Sequence, residues 1–488
     1  MKIYSKILIV LFGIGMLYSC SLDFKPNNQI LGKDAYTRIE DCEIALNGLY
    51  SMVRSGHLGN VQLAEVMADD VKAPKWTNNL YPLEVRRFEG REGTSLFGSI
   101  WLAKYTIAAN ASSLINNMNE LHDPNDAKVQ QITAEASFMR ALSHFELLRL
   151  YAGRYNSATA STDLGIPIVK EASREPKARN SVQEVLSFIF EDLNKARIYF
   201  EANTPSTDKK YISLDAVNAL KSRIYLYMGE YTSVIRAADS VIASPRTYSY
   251  NMSAAELSAL WIDDNSTKDI IMQLAINTSE GISSFSFAES MYLSNKNIPG
   301  KLAKPQFIPG SEVRALFGTL DRRTNLYFLK TYNMAPETTD GQEQIDLVAK
   351  YRGNPVYGTT DLVNQFKIFR FSEVILNKME ALYHINQVQA SALLDDFKAN
   401  RIDGYTPQGL TGSALLQEIK NERRRELAFE GFRFHDLKRW DEGFNRTADK
   451  YTNTADVISV TAADYHWTLP IPVAERNVNK IIEQNPGY

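Results

Sequence analysis

The chain has 488 residues, 44% of them apolar, with 54 lysines and arginines against 57 acids and a net charge of −3. That size buries a large core in one big domain or two intertwined ones, and the near-balanced charge excludes a polyanion-seeking surface, so nucleic acid is not a partner. Six histidines leave little metal or proton-shuttle capacity, and the sequence has no HExxH, GxSxG, Walker-type phosphate loop or CxxC pair, which removes the commonest enzyme signals.

Lys2 and Lys6 precede an apolar run over residues 7–17, followed by Tyr18, Ser19 and Cys20. A charged start, an apolar stretch too short to span a bilayer and a small residue before the cut predict an export signal over residues 1–19 that is removed. A cysteine directly after such a site resembles the bacterial lipobox, which implies that Cys20 is lipidated, becomes the mature N-terminus and anchors the chain to a membrane. Residues 20–30 read as a flexible tether. Cys42 is then the only other cysteine, so no intramolecular disulfide forms in the mature chain. It falls in the series Ala35, Ile39, Cys42, Leu46, Leu49 and Val53, the spacing of one helix face, and reads as a small core residue.

Residues 31–245 read as the first half of a helical scaffold. Within it, residues 71–93 lose the helical period, and Trp76, Asn78, Asn79 and Tyr81 gather on a polar, aromatic loop. Large rings beside amide side chains suit stacking on sugar faces and bonding to hydroxyls. Trp101 and Tyr105 lie inside a strongly helical run and read as packing residues. Residues 127–151 form a helix apolar on more than one side, hence interior. Ser181 with Glu184 three residues on predicts a capped helix start. Val217, Leu220, Ile224 and Tyr227, a turn at Gly229, then Tyr231, Val234, Ala238 and Val241, look like a degenerate tetratricopeptide hairpin.

Residues 246–366 are rich in Asn, Ser, Gly, Pro and aromatics, and read as an irregular ligand-binding insert with a buried strand at 270–276. Tyr292 and Asn295 are its candidate contacts. Residues 367–445 return to helices, including a second hairpin over 371–401, and residues 446–488 read as an extended tail whose prolines suit an edge or clamp. The richest stretch is EIKNERRRELAFEGFRFHDLKRW at 418–440. Its helical spacing sets Ile419, Glu422, Glu426 and Phe429 on one side, with Arg423, Arg424 and Arg425 within a turn. Arg433, Asp436 and Arg439 interleave with rings beyond Gly431. Buried charges of this density require partners, so one closed network is expected, joined from the preceding helix by Arg370, Glu373 and Glu380 and including Glu430. Catalytic use of Glu422, Glu426 and Glu430 is disfavoured, because neighbouring guanidiniums hold carboxylates ionised.

This stretch closely resembles the C-terminal signature of the SusD-like (RagB/SusD) proteins. AEASFMRALSHFELLRLYAGRY at 134–155, LDRR at 320–323, KIFRFSEVILNKMEA at 367–381 and WTLPIP at 467–472 are also similar to that family. The resemblance implies a mainly α fold in which tetratricopeptide-like hairpins form a right-handed scaffold around a loop-rich insert with short β-strands. It implies a non-catalytic outer-membrane lipoprotein, facing the cell surface, that binds extracellular oligosaccharide and passes it to a TonB-dependent SusC-like barrel. Few loop tryptophans keep oligopeptide open as the ligand. A remoter alternative is a surface glycoside hydrolase using Glu65 with Asp69 or Asp70, and another is an adaptor that grips a partner's peptide tail. No cofactor is expected, and a calcium site stays open.

Overall fold

The computed structural model describes residues 35–75, 81–173, 175–203, 206–265, 268–276, 291, 305–332, 344–351, 353–357 and 363–488. Helices α1 (Ile39–Val66), α2 (Ser95–Leu121), α3 (Ala127–Tyr151) and α4 (Val182–Ala202) pack side by side, with α3 touching the other three. Helix α3 is the axis of the molecule because its sequence has no polar face to give to water: Glu135 through Tyr151 are buried without a break. Asp126 caps its start by accepting from the backbone of Lys128 and Val129. Arg140 and Asp192, both buried, tie α3 to α4 through two bonds of 2.7 Å. The Ser181–Glu184 capping box starts α4 as its sequence predicts.

Helices α5 (Leu214–Met228) and α6 (Tyr231–Ile242) form the hairpin expected at Gly229, whose φ of 73° is the left-handed conformation that glycine adopts at little cost. A short helix α7 (Ala254–Ile262) begins the middle of the chain. The second hairpin joins α8 (Phe371–Ile385) to α9 (Gln387–Ala399), and α8 packs against α6 and against α10 (Gly412–Leu427). Helix α11 (Arg433–Trp440) follows the Gly431 turn and rests on α1. The architecture is mainly helical, as expected.

The strands among the described residues make four antiparallel pairs: β1 (Val71–Lys72) with β3 (Ile308–Pro309), β2 (Ile270–Leu274) with β6 (Phe366–Arg370), β4 (Phe328–Tyr332) with β5 (Gln344–Val348), and β7 (Phe444–Arg446) with β8 (Ile458–Val460). Two local readings need correction. Residues 367–370 were expected to open a helix, but they belong to β6 and pair with the buried strand β2. The helical spacing that placed Phe429 on one stripe with Glu426 does not survive past Leu427. Phe429 has a φ of 67°, and Gly431, at 80°, passes so close to α1 that a Cβ there would lie 2.9 Å from Val61 Cα.

The candidate ligand wall and the charge groups behind it

Two short strands fix where the aromatic loops leave the fold. Val71 pairs with Pro309 and Lys72 with Ile308, and the Gly310 N–H donates to the Asp70 carbonyl at 2.8 Å. A Cβ on Gly310 would sit 2.5 Å from the Asp69 carbonyl oxygen, so this approach requires glycine. On the other side, the Lys75 N–H donates to the Tyr451 carbonyl at 2.9 Å. Asp456, fully buried, accepts from the Ala73 N–H at 2.7 Å and pairs with Arg86. Arg86 in turn donates from Nε to the Tyr81 carbonyl at 3.4 Å. The half-buried Tyr81 ring packs edge-on against Phe307, centroids 5.3 Å apart, and the Phe307 N–H donates to the Met291 carbonyl at 3.0 Å. The flanks of the 76–80 loop and of the 292–304 segment therefore converge on one wall. Tyr81 is the one predicted contact on it that lies among the described residues. Trp76, Asn78, Asn79, Tyr292, Asn295 and Cys20 lie outside them.

Behind this wall the charged residues expected to close one network divide, among the described residues, into four groups. The largest closes on Glu426, whose carboxylate accepts from Arg370 at 2.9 Å, Arg401 at 3.0 Å and Arg323 at 3.0 Å. Arg323 also binds Glu422 at 2.8 Å and Asp321, Arg370 binds Asp269 at 2.5 Å and Glu430 at 2.6 Å, and Lys350 binds Glu430 at 2.6 Å. Burial alone would raise these carboxyls, but the guanidiniums outweigh it: Glu426 is held well below the usual carboxylate range, and Arg323 with Arg425 holds Glu422 at about 2. A second group joins Arg423 to Asp436 at 2.7 Å, Asp436 to Arg439 at 2.9 Å and Arg439 to Glu380 at 2.6 Å. In the third, Arg433 and Arg424 hold Asp69 and Asp70. Glu373 departs from expectation: it turns away from α10 and takes a two-pronged bond from Arg223 of α5, at 2.6 and 2.7 Å.

Sequence reasoning did not single out Arg401, Asp269 or Arg223. None stands out from the other charges of its segment, such as Lys268, Lys221 and Lys398, and only the fold brings it to its partner.

The carboxylates proposed for hydrolysis are committed elsewhere. Glu65 is wholly buried and accepts the Gly431 N–H at 2.7 Å; burial, then the Asp70 charge, raises its pKa. Asp69 and Asp70 are buried against their arginines. Among the described residues, no three His, Cys, Asp or Glu side chains are grouped to hold a metal ion. Away from the wall, a cleft of about 470 Å³ runs between α2 and the tail, bordered by Trp101, Tyr105, Glu475 and Val478. Trp101 is buried there, its Nε1 donating to Glu475 at 3.3 Å, and packs on Tyr105 at 4.6 Å.

Residues 22–226 match a family described as starch-binding and associating with the outer membrane, and residues 338–488 match the SusD family. The chain belongs to the SusD-like family. A SusD-like protein of Formosa agariphila is 24% identical, the alignment spanning 100% of each chain. A SusD superfamily protein of Bacteroides thetaiotaomicron is 25% identical with a TM-score of 0.78, covering 92% of this chain and 99% of that one. A SusD-like carbohydrate-binding protein of Bacteroides vulgatus, 20% identical, superposes with a TM-score of 0.76 over 91% of this chain and 97% of its own. The two family matches take in α1 to α4, the second hairpin and the α10–α11 segment.

Proposed function

We propose that the protein is a lipid-anchored, non-catalytic receptor on the outer membrane that captures extracellular oligosaccharide and hands it to a TonB-dependent SusC-like barrel. The observation that carries this reading is that the described residues flanking two aromatic, amide-rich stretches of sequence, 76–80 and 292–304, meet at the β1–β3 wall. Trp76, Tyr81 and Tyr292 stack on pyranose faces, while Asn78, Asn79 and Asn295 bond hydroxyls. Membership of a family described as starch-binding supports a sugar ligand, as does the carbohydrate-binding relative of the same fold. Commitment of Glu65, Asp69 and Asp70 to internal bonds supports binding without turnover.

Cys20 carries the anchor. Cys20→Ser is expected to release the protein from the membrane fraction, and retention there with no incorporated lipid label would remove the anchor from the proposal.

One observation favours oligopeptide as a second reading. Trp101, Trp261 and Trp467 are buried and Trp440 donates to Glu380 at 2.8 Å, which leaves a single loop tryptophan for stacking. Calorimetry of the mature protein against oligosaccharide and peptide pools separates the two readings. Trp76→Ala and Tyr292→Ala are each expected to weaken the ligand found by about fivefold, or ~1 kcal/mol. Unchanged affinity in both variants would move the site away from this wall.

A further inference from the structure

Behind the Gly431 turn lies a cavity of about 20 Å³, bordered by His57 and Asn60 of α1, Glu146 and Arg149 of α3, Arg223 of α5 and His435 of α11. That exceeds the roughly 10–15 Å³ that one water-sized occupant needs. The chain leaves several polar atoms around it unsatisfied. Both amide atoms of Asn60, Arg149 Nε and His435 Nδ1 are buried with no hydrogen-bond partner, as are Glu146 Oε2 and His57 Nδ1, the latter facing Glu146 Oε1 at 3.7 Å, where folded proteins leave few such atoms and concentrate them at sites with a purpose.

Among the described residues, the charges around the cavity leave Arg149, and beside it Lys438, without a carboxylate partner. Glu146 is paired with Lys104, Glu430 with Lys350 and Arg370, Arg223 with Glu373, and Lys367 with Asp264. Among the described residues, Arg149 has no carboxylate within 4.0 Å, and its guanidinium lies over the Phe145 ring at 4.9 Å from the centroid. Burial, then the neighbouring Arg223 charge, lowers it to about 10, which still leaves it a cation at neutral pH. Beside it, Lys438 donates only to the carbonyls of Arg149 and Ala152, at 2.8 and 2.7 Å, and adds no negative charge. Burial lowers the pKa of both histidines, which therefore offer neutral ring N–H donors.

We infer that this cavity binds one small monovalent anion, a halide such as chloride, held by Arg149 Nε, the Asn60 amide N–H and a ring N–H of His435. A water would satisfy the donors but leave the Arg149 charge uncompensated inside the fold, where an unpaired ion is costly. The bordering carboxylates do not oppose the anion, since each is already neutralised by a cation of its own. The site joins α1, α3, α5 and α11, so an occupant that binds only the folded state stabilises the whole frame.

The test uses the full mature protein. Its melting temperature is measured against sodium chloride with gluconate replacing chloride at constant ionic strength, and crystals grown in bromide are examined for anomalous scattering. A rise of melting temperature that saturates with chloride, abolished in Arg149→Met and kept in Arg149→Lys, is expected, together with a bromide peak beside Arg149 Nε. Chloride-independent melting of the native protein, or a saturable rise that persists in Arg149→Met, would overturn the inference. If Arg149→Met does not fold, the bromide map decides: an anomalous peak at Arg149 supports the site, and a peak with only the scattering of water refutes it.

Discussion

The Glu426 group and the Phe307 wall use polar chemistry to opposite ends. Around Glu426 three wholly buried arginines converge on one carboxylate, and none of their nitrogens is left without a partner. At the wall, two strands of two residues each carry the loops, anchored by single backbone bonds such as Lys75 to Tyr451 and Phe307 to Met291. The first arrangement is over-determined, so a change at any member exposes several unpaired charges at once. The second fixes only the residues that flank 76–80 and 292–304, so substitutions within those stretches leave the Glu426 group untouched.

Changes on the two sides of this contrast should separate cleanly. Glu426→Ala strands Arg323, Arg370 and Arg401 and is expected to cost about 3–5 kcal/mol in urea unfolding; a loss below about 1 kcal/mol would mean the group relaxes as freely as the wall. Acid gives a related test. Glu422 and Glu380 have folded values of about 2, below the ordinary 4.5, so their stabilisation is complete above about pH 4.5 and disappears as pH falls toward 2. Melting temperature should drop across that window, and the drop should flatten in Glu422→Gln. Gly431→Ala forces a side chain onto a left-handed backbone and against Val61 and should cost roughly 1–3 kcal/mol, read from the unfolding midpoint. At the wall, Trp76→Ala should weaken ligand without moving that midpoint, and a shift as large as that of Gly431→Ala would erase the distinction between frame and wall. The smallest effect is expected for Ser181→Ala, which removes one helix cap remote from both regions and should cost about 1 kcal/mol.

Much of the frame was readable because its signals are local. Apolar period marked the long helices, the serine and glutamate at 181 and 184 marked a start, and Gly229 marked the hairpin. The errors arose where tertiary geometry overrode a local pattern. The helical spacing ran on through Phe429, but the close approach of Gly431 to α1 turned the chain. The strand β6 was masked by the apolar run that continues into α8. The density of charge at 418–440 announced that partners must exist, yet not which: Glu373 meets Arg223, 150 residues away, a separation no window of sequence spans. The wall was the least legible part, since strands of two residues are too short to show a period. The loops it carries were flagged by composition alone.

The turn at Gly431 also bears on when the molecule can fold. Its N–H reaches Glu65 across 366 residues, Arg433 reaches Asp69 across 364, and Arg446 reaches the Ala68 carbonyl across 378. None of these closures can form until residues 431–446 have been made, and such distant pairings make assembly slow. Glu65 near the end of α1 and Asp69 just beyond it stay unmatched until residues 424–433 have been made.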